Sequence, residues 1–138
     1  MAGLGRRGFG ELEAEVLDAV IAGGQELTVQ EVLDRLGHRC AYTTVMTTLN
    51  RLCDKGALTR RPGPGRAYLY RLAAPSTELP AAMTARRMVD LLGADDDRAG
   101  ALAHFVAGLD PADEQLLAGL LAGHARESAP RRGRGGAR

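Results

Sequence analysis

The chain has 138 residues, 45% apolar and 25% charged, with a formal net charge of +1, a globular mixture sized for one ordinary domain or two very small ones. Its two cysteines, Cys40 and Cys53, are too few for a disulfide framework or a four-ligand zinc site, so a reducing compartment is the plain reading. No uninterrupted apolar run is present, since Asp18 cuts the stretch from Val16 to Ala22, so neither a signal peptide nor a membrane span is visible and a cytoplasmic location is expected.

Residues 11–21 place Leu12, Val16 and Val20 on one stripe with Leu17 and Ile21 beside it, the spacing of an amphipathic helix. Glu11, Glu13 and Glu15 suit the positive end of its dipole, and Gly23 and Gly24 end it. Thr28 followed by Glu31 is a capping box that opens a second helix, with Val29, Val32, Leu33 and Leu36 on its apolar face and Gly37 as its stop. A third helix is expected over residues 43–55, closed by Gly56. Three helices with such short joints resemble a helix-turn-helix core.

Beyond Gly56 the period changes from helical to extended. Residues 57–61 and 66–72 flank Pro62-Gly63-Pro64-Gly65 and form a hairpin with a stiff, basic tip. Pro75 and Pro80 mark a boundary, after which helices are expected over 79–92, 99–109 and from Asp110-Pro111 onward. The expected organisation is a winged helix-turn-helix domain over residues 1–75, a helical dimerisation domain over 76–125 and a disordered basic tail over 126–138. The fold class is mainly α with a small β-hairpin. Short Ala- and Leu-rich helices of this length cannot close a core alone, so Met83, Met88, Leu92, Leu102, Phe105, Val106, Leu109, Leu117 and Leu120 are expected to pack against a second copy.

The charge is segregated. Between Arg35 and Arg71 eight basic residues face one acid, Asp54. On the third helix Val45, Leu49 and Leu52 define a buried side, joined by Cys53. Thr44, Thr47, Thr48, Arg51 and Lys55 then line the other side without a carboxylate among them, with Tyr42 and Thr43 at its entrance. A merely solvated face would more often carry Glu, Lys and Gln, which favour the helix. Hydroxyls bond phosphates and base edges, and Thr methyls touch thymine methyls, so this face suits a DNA major groove. Thr43, Thr44, Thr47, Thr48 and Arg51 are the expected base and phosphate contacts, Tyr42 and Lys55 the backbone contacts, and Arg60, Arg61 and Arg66 the contacts of the wing.

The run AYTTVMTTLNRLCDKGAL, the hairpin end GRAYLYRL and the segment ALAHFVAGLDPADEQLLAGLL together resemble the penicillinase repressor family, over about residues 9 to 124. The resemblance implies a winged-helix domain, a helical dimerisation region and repression by a homodimer on a palindromic operator of double-stranded DNA. It also implies a regulatory protease as a partner. Antibiotic-responsive members are cut in the dimerisation region, commonly at an Asn-Phe bond, and the matching bond here is His104-Phe105, with His in place of Asn. Copper-responsive relatives carry cysteines near the C-terminus, whereas residues 54–138 hold none.

No cofactor or metal site is expected, because His38, His104 and His124 are dispersed and the Asp95-Asp96-Asp97 run reads as a solvated helix start. No nucleophile with a neighbouring base, phosphate loop or paired catalytic His is present, so an enzyme is not expected. Two rival readings remain: a winged-helix module that docks an acidic protein, and a protein that coats DNA without sequence preference.

Overall fold

A computed structural model describes residues 9–129. Thr28 starts the second helix as its spacing predicts: its hydroxyl accepts from the Glu31 amide at 3.1 Å, and the Thr28 amide donates to Glu31 Oε1 at 3.3 Å. The reciprocal cap satisfies two amides that a helix start otherwise leaves without partners. It fixes α2 (Val29–Arg35) between α1 (Glu11–Gly23) and α3 (Tyr42–Asp54).

The three helices close on Val16, Leu17 and Val20 of α1, Val32 and Leu33 of α2, and Val45, Leu49 and Leu52 of α3, all buried. Burying each such side chain contributes about 1.5–3 kcal/mol. The side of α3 expected to be buried is therefore the buried side, and its opposite face is turned to solvent.

After α3 the chain reverses at Gly56, whose φ of 82° lies in the left-handed region where a side chain is strained. A Cβ there would also stand 2.6 Å from Cβ of Arg86. Strand β1 (Leu58–Pro62) pairs antiparallel with β2 (Tyr68–Leu72), with Arg60 opposite Tyr70 and Arg61 opposite Leu69. The amides and carbonyls of Leu27 and Tyr70 exchange two hydrogen bonds of 2.8 Å, which fastens β2 to the turn between α1 and α2. Three helices followed by a hairpin docked on them make a winged helix, and the chain as a whole is mainly α with one small hairpin.

A short 3-10 turn (Ser76–Glu78) leads into α4 (Leu79–Gly93), followed by α5 (Arg98–Ala107) and α6 (Pro111–Ser128). Asp97 accepts from the Gly100 amide at 2.9 Å and Asp110 from the Asp113 amide at 2.8 Å, so both aspartates cap helices, and the acidic run is the helix start that it resembled.

Two compact units divide between Leu91 and Leu92. Met83, expected on a dimerisation face, is instead buried with Leu79 in the core of the first unit, because the first turns of α4 cover the winged helix. In the second unit α5 and α6 bury no residue. Leu102, Phe105, Val106, Leu116, Leu120 and Leu121 are all exposed there, and Leu109 and Leu117 are half-buried. Residues 126–128, expected to begin a disordered tail, continue α6, and the remainder of that tail, residues 130–138, lies outside the described residues. No described helix is long and apolar enough to cross a membrane.

Candidate nucleic-acid interface

On α3 the outermost line is Thr43, Thr47, Asn50 and Asp54, spaced at four, three and four residues along the side opposite Val45 and Leu49. Thr44 and Arg51 flank it towards the first turn of α1, while Tyr42 and Met46 flank it towards the hairpin. Tyr42, Thr43, Thr44, Thr47 and Arg51 are exposed, as their assignment to DNA requires.

Thr48 departs from the expectation. It is only 5% exposed, and its hydroxyl donates to the Thr44 carbonyl at 2.8 Å, one turn back along the same helix. That hydroxyl is spent inside the protein. The outer line also ends on a carboxylate, Asp54, so the face is free of acids over its first three turns and not throughout.

Lys55 is engaged by the first turn of α1: its ammonium lies 2.6 Å from Glu13 Oε2 and 5.5 Å from the centre of the Phe9 ring. Arg39, before α3, reaches Glu15 at 3.5 Å and donates to the Leu36 carbonyl at 3.0 Å. Two acids of α1 thus hold two cations that border the exposed face.

The wing arginines separate because neighbouring residues on a strand point to opposite faces. Arg60 shares the α3 side of the hairpin with Tyr70. Arg61 lies on the other side, where it makes two hydrogen bonds to Glu26, of 2.6 and 3.0 Å. The same contact holds the Glu26 carboxyl below the usual carboxylate range and raises Arg61 further. Arg61 therefore stands off the face it was expected to share with Arg60. Arg66 is exposed at the hairpin tip, beside Gly65, whose φ is 68°.

Arg60 donates to Asn50 Oδ1 at 2.8 Å and lies over the Tyr68 ring at 4.8 Å. The buried Tyr70 hydroxyl donates to the same Asn50 oxygen at 2.9 Å, and burial pushes its phenol up, so it stays protonated. Sequence reasoning missed Asn50, Met46 and this joint between helix and wing. The α-helical spacing of Asn50 from Thr43 and Thr47 was the available signal, whereas its partners lie 10 and 20 residues downstream.

Cys53 is half-buried beneath the wing, and desolvation pushes its thiol up, which fits a packing residue. Among the described residues no group of three or more His, Cys, Asp or Glu is placed to hold a metal ion.

The family model described as penicillinase repressor matches residues 9–123, the whole span from the entrance of α1 through most of α6. The chain belongs to the penicillinase repressor family. It is 40% identical over 125 residues to the protein called transcriptional regulator BlaI in two strains of Mycobacterium tuberculosis, CDC 1551 and H37Rv, covering 84% of this chain and 87% of each relative. Among solved structures it is similar to the PcaV transcriptional regulator from Streptomyces coelicolor in complex with its natural ligand. That likeness has 24% identity and a TM-score of 0.44, and covers 87% of this chain and 76% of the other. Membership of the penicillinase repressor family makes this chain a DNA-binding transcriptional repressor, and its family are regulators, not enzymes.

Proposed function

We propose that the repressor is sequence-specific, acts as a cytoplasmic homodimer on a palindromic operator, and reads each half-site with α3. The observation that carries this reading is the outward face of α3, a row of exposed Thr43 and Thr47 and half-buried Asn50 flanked by exposed Thr44 and Arg51, on a helix whose opposite side is anchored in the core. Thr43, Thr44, Thr47 and Arg51 contact base edges and phosphates, Tyr42 and Lys55 the backbone, and Arg66 a phosphate at the wing tip. A two-fold axis then sets the two copies of α3 about 34 Å apart, one turn of the duplex.

The second unit supports the dimer. Phe105 is 46% exposed and Leu120 62% exposed in one chain, and apolar helices with no interior of their own gain stability by covering each other in a pair. Met88, Leu92, Leu102, Phe105, Val106, Leu109, Leu117 and Leu120 form that interface. A regulatory protease cutting between His104 and Phe105 has to unwind α5 first, because both residues lie within the helix.

The test is competition binding on the promoter region beside the protein's own gene against random duplex. A protein-docking module gives no preferred site, and a DNA-coating protein gives equal affinities; either result rejects the proposal. Arg51→Ala should weaken the preferred site by about 1–3 kcal/mol if Arg51 reads a base. Equal loss on random DNA assigns it to a phosphate.

A further inference from the structure

Arginine only donates hydrogen bonds, so the Asn50 atom 2.8 Å from Arg60 Nη1 is the amide oxygen, which fixes which way the carboxamide is turned. A second donor, the Tyr70 hydroxyl, reaches that oxygen at 2.9 Å. An amide oxygen has two lone pairs, and both are taken. The Asn50 nitrogen, with two hydrogens, has no hydrogen-bond partner among the described residues and stands on the outermost line of α3 between Thr47 and Asp54.

Asparagine on a reading helix ordinarily pairs with adenine, giving a hydrogen bond to N7 and accepting one from the 6-amino group. Asn50 can give the first and cannot take the second, because its oxygen is already shared by Arg60 and Tyr70. Against cytosine its nitrogen meets the 4-amino donor. Guanine offers two adjacent acceptors, N7 and O6, and thymine offers O4.

We propose that Asn50 is a specificity-determining residue locked as a pure donor, which selects a keto-bearing base, guanine or thymine, at one position of each half-site, and that Arg60 and Tyr70 are the positioning residues that enforce this choice. Tyr68 supports the lock by holding the Arg60 guanidinium against its ring. Arg60 thereby acts through Asn50 and not as a free phosphate contact of the wing. The inference rests on the reading of α3 as the DNA-contacting helix.

The experiment is selection of bound duplexes from a randomised library by the full-length wild type and by Asn50→Ala, Tyr70→Phe, Thr47→Ala and Arg51→Ala, with the selected pools sequenced. Circular dichroism melts verify that each variant is folded. In the wild-type pool one column per half-site is restricted to guanine or thymine, and Asn50→Ala flattens that column alone, a loss of about 5- to 150-fold in discrimination. Tyr70→Phe, which returns one lone pair to the Asn50 oxygen, admits adenine in the same column. An unchanged pool for Asn50→Ala overturns the inference. So does an affinity loss spread evenly over all sequences, which makes the amide a phosphate donor. A Tyr70→Phe pool that still excludes adenine removes the lock. If Thr47→Ala and Arg51→Ala also leave the pool unaltered, the reading of α3 fails with it; if they alter other columns, only the role of Asn50 fails.

Discussion

Replacing Glu13 with Gln should destabilise the protein and tighten its grip on DNA. Glu13 Oε2 and Lys55 Nζ are 2.6 Å apart, with the two side chains 14% and 37% exposed, so the pair is shielded on one side and wet on the other. Exposed ion pairs contribute about 0.2–1 kcal/mol and hydrogen bonds to charged groups about 1.5–3 kcal/mol. Glutamine keeps an oxygen to accept from the ammonium and loses only the charge, so the expected loss is about 1 kcal/mol, or about 4–8 °C in melting temperature for a domain of this size. On DNA the sign reverses. The same carboxylate cancels one cation beside the exposed face of α3, and its removal adds one effective positive charge per protomer. Counterion release then steepens the salt dependence by about 0.9 per protomer, equivalent to about 8-fold tighter binding at 0.1 M salt than the gain remaining at 1 M. Fluorescence anisotropy titrations between 0.1 and 0.5 M salt, with melts on the same samples, measure both effects. A destabilised variant with an unaltered salt slope would place Lys55 away from the duplex and refute the reasoning.

Phe105→Ala should shift the protein towards monomer and reduce operator affinity, because a single half-site binds weakly; sedimentation showing an unaltered dimer removes Phe105 from the interface. Leu49→Ala, at a wholly buried position under the reading face, should cost about 2–5 kcal/mol in a denaturant titration. Glu26, held below its ordinary value of 4.5 by Arg61, contributes stability that is present above about that pH and lost as the pH falls through its folded value. The gap in stability between wild type and Glu26→Gln should therefore be open at neutral pH and close in acid. A gap that widens in acid contradicts the assignment.

Much of this was legible in one sequence because the signals are local. The 3.6-residue period of Val16 and Val20, or of Val45, Leu49 and Leu52, names a buried face within one helix, and Thr28 with Glu31, or Asp110 before Pro111, names a start within one turn. The errors share a different cause. Thr48 lies on the border between buried and exposed sides, where a hydroxyl decides between solvent and its own backbone only after the neighbouring helix is in place. Met83 depends on what covers it, and the approach of α4 that buries it relies on the bare Cα of Gly56, 27 positions upstream. Adjacent Arg60 and Arg61 look alike in sequence, yet strand alternation gives one to Asn50 and the other to Glu26. Each decision is made by a partner that no short window contains.

The concentration of arginine between positions 35 and 71 overstates the charge available to DNA. Glu15, Glu13 and Glu26, all upstream of that window, engage Arg39, Lys55 and Arg61. Arg60 is committed to Asn50 and Tyr68, and Arg71 donates to Thr59 at 3.4 Å. Of the window's cations on α3 and the hairpin, Arg51 and Arg66 are exposed with neither an ion pair nor a side-chain hydrogen bond among the described residues, while Arg60 and Arg71 keep their charge but are held by neutral partners. Two phosphate contacts per protomer correspond to a salt slope of about −2, or about −4 for a dimer, whereas release of all eight cations would give about −14. A shallow slope leaves little affinity for random duplex and puts the discrimination on the hydroxyl and amide groups of α3. Affinity for the selected duplex measured against salt decides between the two regimes: a dimer slope near −14 would mean that the intramolecular pairs break on binding, and that the glutamates of α1 gate the electrostatics without setting their limit.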